Sequence, residues 1–363
     1  MASNNTASLP KSFSMNGGNG SYSYSNNSTV QRIASMTAEA MIEEVIGDSL
    51  DIEKFSTPLN TLRIADLGCS VGPNTYIAMQ YIIGAIEKKC ISKGLSRSQL
   101  PDFQVFFNDQ PTNDFNTLFT FIPPEKQYFV AAVPGSFHGQ LFPKFSIYIV
   151  YSSFAFHWLS EVPKEVLIKH SPAWNKGRIF YNSASKEVAE AYASQFAKDI
   201  DSILKARAKE IIRGGMMISL LIAVPDGYDN SKIGVGLLYD ALGSSLLDMA
   251  HEGLINADLV DTFNVPMYVT CPKEMERLIK NNDCFSIERL KLLEYESDVD
   301  GPLDTRKHVI HIRAALECMI TAHFGNEIID ELFDRLDQKA TVYRHLDASY
   351  RKGHLLFLAL KRQ

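Results

Sequence analysis

The chain has 363 residues, 45% of them hydrophobic and 21% charged, which suits one large globular domain or a core with a substantial attachment. Its formal net charge of −6 argues against a nucleic-acid partner, because phosphate binding requires a basic surface. The five cysteines are scattered, without the C-x-x-C or Cys/His spacing of a zinc site, so we expect a reducing compartment. No apolar run approaches the roughly 18 residues of a membrane span, and the N-terminus lacks the apolar core of a signal peptide. We therefore expect a cytoplasmic protein without membrane contact.

The N-terminus is rich in Ser, Asn and Gly, and we expect residues 1–14 to be a disordered tail. A flexible turn follows over Met15–Gly20, and a helix is predicted to begin near Thr29. Ser28 and Gln31 have the Ser-x-x-Gln spacing of a capping box, in which the two side chains bind free backbone N–H groups at the helix start. Residue type and spacing alone therefore favour a simple capping role for Gln31.

The stretch from Ile64 to Asn74 combines an apolar strand, an acidic residue, a glycine-bearing turn and the start of a helix. Glycine lets the backbone approach a ligand where a Cβ would clash, and a helix N-terminus offers free N–H groups. The pattern is Asp-x-Gly-x-x-x-Gly, with Asp66 as the acid, and it differs from the G-x-G-x-x-G of dinucleotide-binding proteins. The next acid that closes a strand is Asp109, at the end of a strand predicted over 103–109.

These two aspartates suit an adenosine ligand that also carries an ammonium group. Asp109 could hold both ribose hydroxyls while Asp66 faces the ammonium end, so the pattern favours S-adenosylmethionine (SAM) over NAD. The plain alternative is that Asp66 only caps the helix and Gly68 only makes a turn.

Further apolar runs predict strands at 128–134, 145–152, 216–224 and 355–360, and a long helix over 186–212 that Gly214 and Gly215 end. Strands separated by helices indicate parallel βαβ units, which bind ligands in the crevice at their carboxyl ends. Three polar clusters should meet there: Cys69–Asn74, Asp109–Gln110 and Ser136–Phe137. The aromatic stretch 153–158 follows the fourth strand at the same edge, where plain core packing is an equal alternative.

Residues 226–345 interrupt this α/β pattern. They favour helices near 236–250, 273–281, 308–323 and 326–337, placed just before the closing strand. We expect a mainly helical substrate-binding cap over 226–345. Residues 15–225 and 346–363 would then form the SAM-binding α/β core with an N-terminal lid segment.

Motifs along most of the chain occur in the order of one known family. They are Met15-Asn-Gly-Gly with Ser23-Tyr24 and Asn27-Ser28, Ala65–Asn74, Phe107-Asn-Asp109 with Asn113–Asn116, Val133–Phe137, Phe142-Pro143, Ser152-Ser153 with Trp158-Leu-Ser160, Asn175-Lys-Gly177, Asp261–Asn264 and His323-Phe-Gly325. With them the chain resembles the plant SABATH methyltransferases, SAM-dependent enzymes that methylate salicylic, benzoic and jasmonic acids, theobromine and related metabolites. The resemblance implies an α/β fold, with a class I SAM-dependent methyltransferase (Rossmann-like) core, a mixed, mostly parallel sheet and an α-helical cap. It also implies a homodimer.

By matching position, the resemblance assigns cofactor and metal residues. The SAM contacts would be Tyr24, Asp66, Cys69, Asn74, Asp109, Gln110, Ser136, Phe137 and Ser153. Gln110 stands where most relatives carry Leu, which leaves the kind of contact open. Some members hold a magnesium ion near residues matching Asn175, Asp261, Phe263 and Asn264, of which Phe263 could offer only its carbonyl oxygen.

The resemblance also matches Gln31 and Trp158 with the pair that holds the substrate carboxylate. This overturns the preference for Gln31 as a simple cap, although one side chain could do both jobs. A carboxylate is ionised at neutral pH, so methyl transfer needs no general base, and no catalytic acid or base is assigned. The work is positioning by two neutral donors, the Gln31 amide and the Trp158 indole N–H, with S-adenosyl-L-homocysteine (SAH) as the second product.

Four more residues would line the acceptor pocket. Phe154 stands where many carboxyl methyltransferases carry Tyr, and His157 replaces a Met of salicylate-type members. Tyr239 and His311 would come from the cap, and each histidine could instead be a packing residue. Because the cap resembles the loganic and farnesoic acid branch, we expect a bulky iridoid, terpenoid or hormone acid rather than benzoate.

Two other functions stay open at this stage. One is N-methylation of a xanthine alkaloid, in which His157 and Tyr239 bind the polar edges of the purine. The other is a catalytically silent SAM- or hormone-binding protein.

Overall fold

The computed structural model describes residues 13–52, 61–296, 305–342 and 352–363, without the side chains of 341, 342 and 352. Most of the predicted tail, residues 1–12, lies outside these ranges, and so does the predicted boundary at 345. Within the described ranges, no helix combines the length and the apolar character that crossing a bilayer requires. All five cysteines are free thiols.

Seven strands of the described residues form one mixed sheet in the order β3-β2-β1-β4-β5-β7-β6. The first five are parallel to one another, whereas β7 is antiparallel to both of its neighbours, β5 and β6. Their bounds are β1 Thr61–Leu67, β2 Asp102–Asp109, β3 Phe129–Pro134, β4 Ile147–Ser153, β5 Ile211–Ile222, β6 Phe285–Glu296 and β7 Lys352–Arg362.

Helices cover both faces of the sheet and bury two apolar cores. Successive residues of β1 point to opposite faces, so that Ile64 packs in one core and Ala65 in the other. The helices are α1 Tyr24–Asn27, α2 Thr29–Thr37, α3 Glu39–Ser49, α4 Asn74–Ser92, α5 Phe115–Thr120, α6 Lys186–Glu210, α7 Gly234–His251, α8 Ala257–Thr262, α9 Pro272–Lys280, α10 Thr305–Phe324 and α11 Ile329–Val342. Helices α3 and α4 pack with Ile64, whereas α6, α7, α10 and α11 belong to the core with Ala65.

The boundary between α6 and β5 differs from its prediction. The strand begins at Ile211, and Gly214 and Gly215 lie inside it rather than at the end of the helix. The pairing with β4 shifts register between Ile147 and Ile149, and Gly214 has a φ of 81°. A Cβ on Gly215 would lie 2.7 Å from the carbonyl oxygen of Tyr148. The glycines therefore permit a bulge in the strand.

Residues 226–342 contain the four expected helices and, in addition, α8 and the strand β6. Strand β6 pairs with β7 along its length and forms one edge of the sheet. It was not predicted because it is half-buried and carries charged residues such as Arg289 and Lys291 among its apolar ones.

Candidate active site

The carboxyl ends of the parallel strands form the edge of the sheet where the chain reverses its order. Strand β1 has β2 on one side and β4 on the other, so the chain proceeds outward through β2 and β3 and then returns to the other side of β1. Such a switch point opens a crevice outside the carboxyl ends of the strands. The turn after β1 and the ends of β2, β3 and β4 therefore face one common space.

The turn from β1 to α4 requires both of its glycines. Gly68 has a φ of 81°, and a Cβ there would overlap the Cβ of Ala155. Gly72 has a φ of 111°, and a Cβ there would lie 2.9 Å from Cα of Ser25. Ser70 lies between them with a φ of 52°, in a region that non-glycine residues rarely adopt. A plain turn does not need this combination of close approach and strain.

Two carboxylates face this turn. Asp66 is 3% exposed and accepts a hydrogen bond from Oγ1 of Thr75, in the first turn of α4. Burial raises the pKa of Asp66 to about 7. Asp109 accepts from the backbone N–H groups of Ser70 and Gln110, each at 2.7 Å, and burial raises its pKa to about 6.

No basic side chain of the described residues forms an ion pair with either aspartate. Burial without a cationic partner disfavours the charged form of a carboxylate, which is why both pKa values are high. A ligand with an ammonium group and hydroxyl groups would supply the missing charge and donors. The sequence did not reveal Thr75 as the partner of Asp66, although its place at the start of the helix after the glycine turn was visible.

Asn74, the first residue of α4, connects the turn after β1 to Ser28 and to helix α2. Its amide nitrogen donates to the carbonyl and the hydroxyl oxygen of Ser28, at 3.0 and 2.9 Å, and its oxygen accepts from Nε of Arg32 at 3.0 Å. Helix α2 has no side-chain capping bond, because the Ser28 hydroxyl accepts from Asn74 instead. The predicted capping box is therefore wrong, and Arg32 is a partner that its sequence position did not indicate.

The remaining predicted SAM residues lie around the same edge. Tyr24 is half-buried in α1, and burial, followed by the charge of Asp109, raises its pKa. Cys69 is buried, and burial raises the pKa of its thiol. Ser136 is exposed and Phe137 is buried in the loop after β3. Ser153 ends β4, and its Oγ lies 3.2 Å from Oγ of Ser35.

A cavity of about 150 Å³ lies beyond the carboxyl ends of β4 and β5. Three predicted substrate residues meet on its wall: Gln31, Phe154 and His311. Nε2 of Gln31 lies 3.1 Å from Nε2 of His311, and Nδ1 of His311 lies 2.8 Å from the carbonyl oxygen of Asn27. The wall is otherwise mostly apolar, and the polar residues on it that the sequence analysis did not single out are Tyr228, Tyr295, His308 and His354.

The other three predicted substrate residues are not among those that line this cavity. His157 is 2% exposed, and burial lowers its pKa to about 3, so it is neutral. Its ring centroid lies 6.2 Å from that of Phe154 and 5.8 Å from that of Trp158. The hydroxyl of Tyr239 contacts the sulfur of Met267 at 3.7 Å. Trp158 is half-buried, and its indole N–H has no hydrogen-bond partner among the described residues.

Two of the four residues matched with a magnesium site are joined by a hydrogen bond. The amide nitrogen of Asn175 donates to Oδ1 of Asn264 at 2.7 Å, and Asp261 accepts from the backbone N–H of Gly177 at 2.9 Å. Phe263 packs its ring against His323 and Phe324. In the described part of the chain, no group of three or more His, Cys, Asp or Glu residues could hold a metal ion.

Known proteins that are similar to this chain are methyltransferases. The sequence model of a family described as SAM dependent carboxyl methyltransferase matches residues 10–363. Loganic acid O-methyltransferase of Catharanthus roseus is 43% identical over 353 residues, which cover 96% of this chain and 94% of that protein. Farnesoic acid carboxyl-O-methyltransferase of Arabidopsis thaliana is 36% identical over 98% of this chain and 100% of its own length.

A solved structure of a loganic acid methyltransferase with SAH superposes with a TM-score of 0.91 at 42% identity, covering 96% of this chain and 98% of that one. This confirms the predicted class I methyltransferase fold and the predicted resemblance to the SABATH family. The chain belongs to the SAM-dependent carboxyl methyltransferases and is an enzyme that uses SAM.

Proposed function

We propose that the enzyme transfers the methyl group of SAM to the carboxylate of a bulky metabolite acid, giving a methyl ester and SAH. The main support for this proposal is the apolar cavity at the carboxyl ends of the parallel strands, the edge of the sheet that also bears Asp66 and Asp109. The neutral side chains of Gln31 and His311 lie on its wall. The relatives named for loganic and farnesoic acids support a bulky acceptor. Residues 226–345 would act as the cap, since α7 and α10 supply part of the wall.

The chain's own residues bind and orient the two substrates. Asp66 would hold the ammonium group of SAM and Asp109 its ribose hydroxyls, each by a buried carboxylate. SAM supplies an electrophilic methyl group on a sulfonium, so one carboxylate oxygen forms the new bond while the C–S bond breaks. Gln31 and Trp158 would each donate an N–H to the acid's other oxygen. Neutral donors oppose the loss of carboxylate charge less than an arginine would.

Radiolabelled-methyl SAM tests the proposal on a panel of loganate, farnesoate, jasmonate, benzoate, theobromine and paraxanthine. Warming each product in mild base should release the label as volatile methanol, because methyl esters hydrolyse and N-methyl groups do not. Base-stable label on a purine would replace carboxyl methylation by N-methylation. No label on any of these acceptors would count against these substrate classes and leave the acceptor to be found.

A variant pair tests the carboxylate donors. Trp158→Phe keeps an aromatic ring and removes the N–H, so kcat/KM should fall about 10- to 100-fold, the loss of one hydrogen bond to a charged group. The dissociation constant for SAM should change less than about twofold, because that side chain contacts the acid only. Gln31→Leu should act in the same way, since it also removes one neutral donor. A large loss of SAM affinity in Trp158→Phe would move Trp158 to the cofactor site.

N-methylation of a purine remains the alternative, with His157 and Tyr239 as its proposed contacts. Carboxyl methylation is favoured because the family description names that reaction. His157 is also 2% exposed, with its ring between those of Phe154 and Trp158, which suits a packing residue.

The magnesium ion, the homodimer and the cytoplasmic location stay predictions. The magnesium site has one point of support, since Oδ1 of Asn175 is buried without a partner in the described part of the chain. Asn175, Asp261 and Asn264 would offer the oxygen ligands that magnesium prefers, with a single carboxylate among them. The melting temperature of the protein, measured with magnesium and then with EDTA, tests whether the ion binds. Light scattering of the protein as it elutes from a size-exclusion column tests whether it is a dimer.

A further inference from the structure

A chain of hydrogen bonds joins the cavity wall to the N-terminal segment, residues 13–37, which includes helices α1 and α2. The imidazole of His311, on α10, lies between two partners: Nδ1 is 2.8 Å from the carbonyl oxygen of Asn27, and Nε2 is 3.1 Å from Nε2 of Gln31. Asn27 ends α1 and Gln31 belongs to α2. One side chain of the helical region therefore contacts both N-terminal helices at the cavity.

The partners fix the protonation of the ring. A carbonyl oxygen only accepts hydrogen bonds, so Nδ1 of His311 carries the proton. Burial lowers the pKa of His311, which keeps the ring neutral and leaves Nε2 with a lone pair. An acceptor at Nε2 requires a donor opposite, and Gln31 must therefore present its NH₂ group to the ring.

This orientation decides which atoms of Gln31 remain for a ligand. One N–H is used by His311, so the second N–H and the carbonyl Oε1 remain. Oε1 is buried and has no partner among the described residues. If the amide were reversed, its carbonyl oxygen would face the lone pair of Nε2, and the ring would no longer hold it.

We propose that His311 is a positioning residue that acts through Gln31. The neutral, Nδ1-protonated ring holds the amide so that its second N–H can bind one oxygen of the acid. The inference deepens the proposed function and rests on it, because it assigns the fixed N–H to the acid's carboxylate. The predicted direct contact of His311 with the substrate is the competing role.

A double-mutant cycle separates the two roles. With an acid identified by the labelling panel, we expect His311→Leu to raise KM for that acid about tenfold, the loss of one fixed hydrogen bond. SAM affinity should stay within about twofold. In a Gln31→Leu background the same change should add less than about twofold, because its partner is already gone. Additive effects of the two changes would overturn the proposal and indicate direct contact with the acid.

His311→Gln is the matched conservative variant. Its side chain offers an acceptor and a donor, so it should reverse most of the rise in KM that His311→Leu causes. If Gln were no better than Leu at this position, hydrogen bonding by the ring would not be what orients Gln31.

Nitrogen NMR of the free protein tests the inference without any acid. In protein labelled with ¹⁵N-histidine, the signals of His311 are those that disappear in His311→Gln. At pH 7 they should show a protonated Nδ1 and an unprotonated Nε2. An Nε2-protonated ring or an imidazolium would overturn the inference. Since this measurement needs no substrate, failure of the proposed function and failure of the inference are distinguishable.

Discussion

At the scale of single residues, burial without a cationic partner disfavours the charged forms of Asp66 and Asp109 in the free protein. Burial raises the pKa of Asp66 to about 7 and that of Asp109 to about 6, whereas the pKa of an aspartate in an unfolded chain is about 3.9. Between these values the folded protein binds more protons than the unfolded chain. The contribution of these two carboxyls to the free energy of unfolding of the free protein should therefore fall as the pH rises from about 4 to 7.

Binding of SAM should lower the pKa of Asp66, because the ammonium group of SAM favours the charged form of this carboxylate. We expect SAM binding near pH 6.5 to release a fraction of a proton per site, and Asp66→Asn to remove most of that release. The same change should lower SAM affinity at least about tenfold, through the lost charge-assisted bond. Calorimetry in two buffers of different ionisation enthalpy measures the release, and a binding heat independent of the buffer would contradict it.

Asp114 offers a matched control, because its pKa shifts the other way. It accepts hydrogen bonds from Thr117 and from the backbone of Gly18, and its bond to Thr117 is the main cause of its lowered pKa. Its stabilisation is present at neutral pH and is lost as the pH falls through the lowered pKa. Asp114→Asn should therefore leave the proton release on SAM binding intact.

The candidate residues that the sequence revealed lie at the carboxyl ends of strands. Asp66 and Asp109 could be predicted because each acid closes an apolar run, which places it at the carboxyl end of a buried strand, where α/β folds bind their ligands. Arg32 and Thr75 could not, since their roles depend on which side chain lies opposite Asn74 or Asp66 after folding. The same limit applies to the link between His311 and Gln31, which joins residues 280 positions apart.

At the scale of elements, a buried ion pair fixes the loop after β3. The side chains of Arg207 and Glu210, at the end of α6, are 0% exposed and 2.7 Å apart. Arg207 donates to the carbonyl oxygens of Phe137 and Gly139, and Glu210 accepts from the backbone N–H of Phe142. The pair therefore holds the loop that carries Ser136 and Phe137, two of the predicted SAM contacts.

Removing one partner should leave an uncompensated buried charge. Arg207→Met is expected to destabilise the protein by about 3–5 kcal/mol and to weaken SAM binding, because the loop loses its carbonyl contacts. Glu210→Gln should cost a similar amount, since it leaves the Arg207 guanidinium buried without a charged partner, even though its amide oxygen still accepts from the loop backbone. Lys205→Ala, which breaks an exposed ion pair on the same helix, is the control and should change little. Chemical unfolding and SAM titration measure both effects, and unchanged SAM affinity in Arg207→Met would contradict the link to the loop.

The elements that could be predicted were the apolar ones. Strands β1 to β5 are all marked by apolar runs, although only the inner strands are covered on both faces and the edge strand β3 is half-buried. The half-buried edge strand β6 lacks that signal and was missed. The position of Gly214 inside β5 could not be predicted from the sequence either, since a bulge depends on the register with the neighbouring strand.

At the scale of the whole molecule, the N-terminal segment joins the cofactor corner to the helices around the cavity. Its backbone N–H at Asn16 donates to the carbonyl oxygen of Ala314 on α10, at 2.9 Å. The guanidinium of Arg313 lies 3.7 Å from the ring centroid of Tyr22. At the other end, Ser28 and Arg32 bind Asn74 at the start of α4. Ordering this segment from either side should favour binding on the other side.

We therefore expect SAH and the acid to bind cooperatively, each raising the affinity for the other about 5- to 150-fold, the usual range of such coupling. Asn74→Ala should reduce this factor, because it removes the bonds between α4 and the segment while leaving the cavity wall unchanged. Titration calorimetry of the acid with and without SAH measures the factor in both proteins. Ser98→Ala, on the exposed connection before β2, is the control. An undiminished factor in Asn74→Ala would mean that the two sites communicate through the sheet edge instead, since Phe154 directly follows β4 at the end that also bears Ser153.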